Sequence, residues 1–112
     1  MLHLMYLYKP TLQARRDLTA FWQWVSDRDK WFYGRLSMAQ NKRWYIRTVG
    51  EDDYCLEHYV SFADSEALGE YCKSVVELCE SPEWGKRYIE QENWWDIMDY
   101  RLLTDAPINV LH

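Results

Sequence analysis

Polar and apolar positions alternate with two different periods along this chain. Residues 2 to 8 alternate strictly, with Leu2, Leu4, Tyr6 and Tyr8 on one side and His3, Met5 and Leu7 on the other. Both sides are largely apolar, which predicts a central strand covered on two faces. Pro10-Thr11 ends it, and Thr11 is a candidate N-cap for a helix whose stripe Leu18, Phe21, Trp22, Val25 has the i, i+3, i+4, i+7 spacing of one buried face. Trp24 lies off that stripe, and Trp31-Phe32 follow the charged run Asp27-Arg28-Asp29-Lys30. These rings are therefore expected to end the helix or to face something outside the core.

From Arg35 to Val49 the pattern is extended, clearest where Trp44, Ile46 and Thr48 alternate with Arg43, Tyr45 and Arg47. Gly50-Glu51-Asp52-Asp53 is a turn signal, and residues 54 to 62 complete a hairpin. Asp64-Ser65 supplies capping chemistry for a second helix with the stripe Leu68, Tyr71, Cys72, Val75, Val76, Cys79. Ser81-Pro82 interrupts it and opens a short helix carrying Trp84 and Tyr88, with Pro82 at the first helical position. A last strand is expected over about residues 96 to 103, before a polar tail. Strand, helix, strand, strand, helix, short helix, strand is the split βαβ or ferredoxin-like order. The predicted fold is α+β, a four-stranded antiparallel sheet with its helices on one face, in a single domain over residues 1–104 with a tail at 105–112. A sheet apolar on both faces needs a partner, and the simplest is a second copy, so a homodimer is expected.

Composition narrows the function. The chain has 112 residues and a net charge of −5, which argues against a general nucleic-acid or anionic-membrane binder. No stretch reads as a membrane span or a signal peptide, and a cytoplasmic protein is expected. The three cysteines, Cys55, Cys72 and Cys79, form no C-x-x-C pair and are expected to be reduced and mostly buried. Aromatics reach 17%, with seven Trp, enough ring surface to fill a core, an interface or a pocket. Residues 1–50 carry nine Lys/Arg against three Asp/Glu, residues 51–112 four against fifteen. The bland account is solvated faces; the other is that Arg43 and Arg47, on one strand face, attract an anion or pair with the acidic second helix.

The layout resembles the dimeric α/β-barrel superfamily, in which two ferredoxin-like protomers pack sheet to sheet. The likeness runs over residues 2 to about 104 and rests on the order of elements and on short stretches: His3-Leu4-Met5-Tyr6-Leu7, His58-Tyr59-Val60-Ser61-Phe62 leading into Ala63 to Leu68, Glu70-Tyr71, and Ser81-Pro82-Glu83-Trp84. In pattern it is most similar to the stress-responsive, polyketide-cyclase and antibiotic-biosynthesis-monooxygenase branches. By that resemblance His3 matches a pocket-lining histidine, His58 a pocket-lining strand position, and Tyr71 a functional tyrosine of the second helix. The cyclase branch's catalytic His-Pro-x-His stretch falls on Ser81-Pro82-Glu83-Trp84, where the histidines are absent. A haem-degrading activity is set aside because residues 65 to 91 hold no histidine.

His58, Tyr71 and His3 are thus the candidate catalytic residues. If the two histidines share a sheet face they form an acid/base pair, and His58 can partner the Tyr71 hydroxyl; otherwise all three are packed core residues. Trp84, Tyr88, Trp94, Trp95 and Arg47 are candidate ligand-binding residues, with plain packing as the alternative for the rings. No metal site is expected: His112 sits in the tail, and Glu57 points away from His58 on the strand. RNA binding is disfavoured, because Cys55, Leu56 and Glu57 stand where the basic residue, glycine and first stacking aromatic of the RNP1 motif belong. The expected function is binding of a small apolar or aromatic molecule by a homodimer, with cofactor-independent monooxygenase, isomerase or cyclase chemistry. A non-enzymatic dimeric binding or structural protein is the competing reading.

Overall fold

The computed structural model describes residues 1–49 and 54–110; the expected turn at 50–53 and His112 lie outside them. The elements are β1 (Leu2–Pro10), α1 (Leu12–Arg16), α2 (Leu18–Tyr33), β2 (Gln40–Ile46), β3 (Leu56–Phe62), α3 (Ser65–Cys79), α4 (Pro82–Gln91), β4 (Trp95–Thr104) and α5 (Pro107–Val110). The strands form one antiparallel sheet in the order β2-β3-β1-β4, the ferredoxin-like α+β arrangement. None of the described helices is long and apolar enough to cross a membrane.

Local chemistry sets the boundaries. Thr11 caps α1 and Asp17 caps α2 by accepting from Ala14 and Ala20 backbone N–H groups. Asp64 caps α3 and Ser81 caps α4, where Pro82 occupies the first turn, its missing N–H needing no partner. Helix α2 runs through Asp27–Lys30 to Tyr33, because its periodicity turns Arg28 and Phe32 inward while Asp27 and Lys30 face out. It stops at Gly34, where a Cβ would lie 2.7 Å from the Lys30 carbonyl oxygen. Residues 34 to 39 are turns, not strand, and the bulge in β2 places Asn41 at φ 47°, a conformation asparagine tolerates.

Direct pairing in β1–β3 puts Leu2, Leu4, Tyr6 and Tyr8 on one face with Phe62, Val60, His58 and Leu56. That face meets the helices through two apolar clusters. One joins Phe32, Tyr33, Leu36, Val60, Phe62, Tyr71 and Leu78; the other joins Tyr8, Phe21, Trp24, Val25, Leu56 and Trp95. Trp24 is thus core, stacked on Trp94 and edge-on to Trp95. On α3 the buried line is Tyr71 and Leu78 with Leu68 and Val75, so Cys72 and Cys79, one position round the helix, are exposed; only Cys55 is buried.

The opposite sheet face is less apolar than alternation suggests. His3, Met5, Leu7, Tyr59 and Ser61 share it with Arg43 and Arg101. A polar lattice runs across it: Arg43 Nη1 donates to Ser61 Oγ at 3.3 Å, and Tyr59 Oη and Arg47 Nε donate to Glu57 at 2.6 and 2.7 Å. These two bonds, the tyrosine's first, hold the Glu57 carboxyl below its ordinary range. Where the tail begins, Asp105 joins the N-terminal ammonium at 3.2 Å and His3 at 2.7 Å.

Candidate functional site

A cavity of about 190 Å³ opens at the junction of the two clusters, between sheet and helices. The sheet contributes Tyr6, Tyr8 and Ile97; α2 contributes Arg28, Phe32 and Tyr33. Helices α3 and α4 close it with Tyr71 and Val75, then Trp84, Tyr88 and Gln91. A wider depression of about 540 Å³ beside Trp22 and Tyr54 is an open part of the surface and brings no comparable set of polar groups together.

His58 stands behind this cavity, fully buried, with its ring 3.9 Å from that of Trp44 in a parallel stack. Its Nδ1 is 2.8 Å from the Arg43 carbonyl oxygen, which can only accept, so Nδ1 carries the proton. Nε2 of the neutral ring then accepts from the Tyr33 hydroxyl at 2.7 Å. Burial, reinforced by the positive charges of Arg28, Arg43 and Lys42, lowers the His58 pKa to about 4, against the raising effect of the Arg43 bond. Burial also raises Tyr33 well above the usual phenol range. Beside this dyad the Tyr6 and Tyr71 hydroxyls meet at 3.3 Å, both held protonated chiefly by burial.

Of the residues singled out in the sequence, Tyr71, Trp84 and Tyr88 line the cavity. His58 reaches it through Tyr33, and Tyr71 takes Tyr6, not His58, as partner. His3 and His58 do not meet: Tyr6, the residue opposite His58, is three positions along β1 from His3, an odd step, so His3 lies on the other face with Ser61. Its Nε2 donates to Asp105 at 2.7 Å. Trp95 is core, 4.0 Å from the Tyr8 ring, and Trp94 packs on Trp24, so neither is on the cavity wall. Arg47 pairs with Glu57 instead of lining the cavity.

Arg28 and Tyr33 are the important additions. Continuing the α2 stripe from Leu18 by sevens reaches Val25 and Phe32, with Arg28 three residues after Val25, so helical periodicity carried through the charged run points to Arg28 but not to Tyr33. The guanidinium lies 5.0 Å from the Phe32 and Trp95 ring centres.

No protein-family model matches the chain, and no curated protein matches it in sequence. Solved structures do resemble it. A NIPSNAP domain protein from Burkholderia xenovorans superposes with a TM-score of 0.70 at 14% identity, over 96% of each chain. Protein Atu4242 from Agrobacterium tumefaciens gives 0.68 at 13%, covering 96% of this chain and 95% of its own. HapK from Hahella chejuensis gives 0.62 at 12%, covering 96% and 94%. At such identities the likeness is one of fold, and fold does not assign chemistry.

Proposed function

We propose that this protein binds a small aromatic molecule in the sheet–helix cavity and moves a proton on it, as an isomerase or cyclase does, without a cofactor. The observation that carries the reading is the Tyr33–His58 pair at the back of an aromatic-walled cavity. Pockets for drug-sized ligands run to about 300–1,000 Å³, and a dry cavity of about 150 Å³ accepts benzene. At about 190 Å³, this cavity suits one or two rings. Tyr33 takes a proton from the ligand while passing its own to His58 Nε2, so that a buried neutral imidazole serves as base through a phenol. Tyr71, with Tyr6, supplies a hydroxyl for a developing oxyanion. His3, on the other face, has no part in this step.

The working unit in this reading is a homodimer built on the face opposite the helices, as the resemblance to dimeric α/β barrels implies. Exposed Tyr45 and Leu103, with half-buried Leu7, give that face apolar surface for a second copy to cover. A thermal-shift and calorimetric screen of one- and two-ring aromatics tests the binding. Hits are expected to be lost in Val75→Trp, which fills the cavity; hits that survive it place binding elsewhere and overturn the proposal. Turnover of a hit should fall at least 100-fold in His58→Asn with affinity retained. Binding without turnover in the wild type would favour the non-enzymatic reading.

A further inference from the structure

Among the described residues, three buried side-chain polar atoms lack a hydrogen-bond partner: Arg28 Nη1, Asp29 Oδ1 and Trp95 Nε1. All three belong to one neighbourhood. Arg28 and Asp29 approach only to 3.6 Å, an ion pair too long for a hydrogen bond, and the Arg28 guanidinium sits against the Trp95 ring. Asp29 meanwhile spends its other oxygen on the Trp44 indole N–H at 2.6 Å. Arg28 is about nine-tenths buried, yet its guanidinium donates no hydrogen bond within the described protein. Asp29 Oδ1 is an acceptor and Trp95 lies off the cavity wall, so the group that the cavity itself leaves in need of an acceptor is the Arg28 guanidinium, which lines it.

Resting on the aromatic-pocket reading above, the geometry points to an aromatic carboxylate as the ligand, its carboxyl group held by Arg28 and its ring enclosed by Phe32, Trp84 and Tyr71. Nη1 is turned to Asp29, which leaves Nε and Nη2 to meet two carboxylate oxygens in the side-on manner a guanidinium favours. The flat faces of Phe32 and Trp95 hold the guanidinium in place without using its N–H groups. Tyr8 adds a second donor: its ring lines the cavity, and its hydroxyl has no hydrogen-bond partner among the described residues. Its phenol is kept protonated by burial, against the pull of the Arg28 charge, and so it donates to an anion. A permanently anionic group matches this corner better than a charge that appears only during reaction, because the guanidinium is already desolvated before any chemistry begins.

The test compares 2-naphthoate with its neutral isostere 2-naphthamide by isothermal calorimetry on the full chain. The wild type should prefer the carboxylate by about 10- to 100-fold, the range of a charge-assisted pair. Arg28→Gln should bring the two affinities within about 2-fold of each other while leaving that for the amide in place, which also shows that the variant is folded. Arg28→Lys should retain part of the preference. Equal affinities in the wild type, or a preference that survives Arg28→Gln, would overturn the carboxylate assignment and leave the pocket reading standing. Failure of both probes, and of the neutral aromatics, to bind the wild type would instead remove the pocket reading and this inference with it. If Arg28→Gln does not fold, the wild-type comparison alone decides.

Discussion

Lowering the pH should destabilise this protein through His58. The ring is fully buried, and its pKa falls from the ordinary 6.5 to about 4, with burial the main cause. The unfolded chain therefore takes up a proton that the folded chain refuses, so stability is full above pH 6.5 and drains away as pH falls toward 4. At about 1.4 kcal/mol per pH unit, linkage gives a loss of about 2 kcal/mol by pH 5 and about 3 kcal/mol by pH 4. Asp29 works in the opposite sense, since burial raises its pKa, while Glu57 adds acid sensitivity only at lower pH. Urea titrations followed by tryptophan fluorescence from pH 7.5 to 4.5 read this as a fall in midpoint on the order of 1 M by pH 5. His58→Asn keeps the other titrating groups, so its difference from wild type isolates the imidazole. A wild-type-minus-variant difference that stays constant over this range would refute the claim that His58 is a buried neutral ring.

Tyr33→Phe leaves His58 Nε2 without its donor and should cost about 1–3 kcal/mol in chemical denaturation; an unchanged midpoint would contradict the 2.7 Å bond. Phe62→Ala removes a fully buried ring packed 4.8 Å from that of Tyr71. It should cost about 3–5 kcal/mol, read by the same titration. Leu7→Glu puts a charge on the face opposite the helices, between Glu57 and Asp99. Sedimentation should show a wild-type dimer become a monomer with unchanged circular dichroism; a wild type that is monomeric at micromolar concentration would remove the dimer from the account.

The order of elements was legible because the local signals agree with the global fold. Alternation in β1, the cap at Asp64 and the proline of α4 survive in the structure, whereas Thr11 caps only the short α1 and the striped helix α2 takes its cap from Asp17. What misled was charge read as an ending. Asp27–Lys30 looks like a helix terminus, yet Arg28 is tolerated on the buried side because two aromatic faces flank its guanidinium. That contact joins α2 to β4, and no local pattern announces it. The same limit explains the histidines. Parity along one strand is visible, but the register between β1 and β3 decides whether His3 and His58 share a face, and a shift of one residue reverses the answer. Tyr33 was hidden for a related reason, since its role depends on meeting His58 across 25 residues of chain.

The claim on which the rest depends is that small aromatics enter between the sheet and the helices, at Tyr33 and Tyr71. Titration of a neutral one- or two-ring aromatic that binds, such as 2-naphthol, into nitrogen-15-labelled protein reports on this through the seven indole N–H resonances. The Trp84 indole, on the cavity wall, should shift with saturation, while that of Trp22, bonded to Tyr54 at 3.1 Å in the surface depression, stays in place. Saturable movement of Trp22 with Trp84 unmoved would put the ligand in the surface depression and contradict the account.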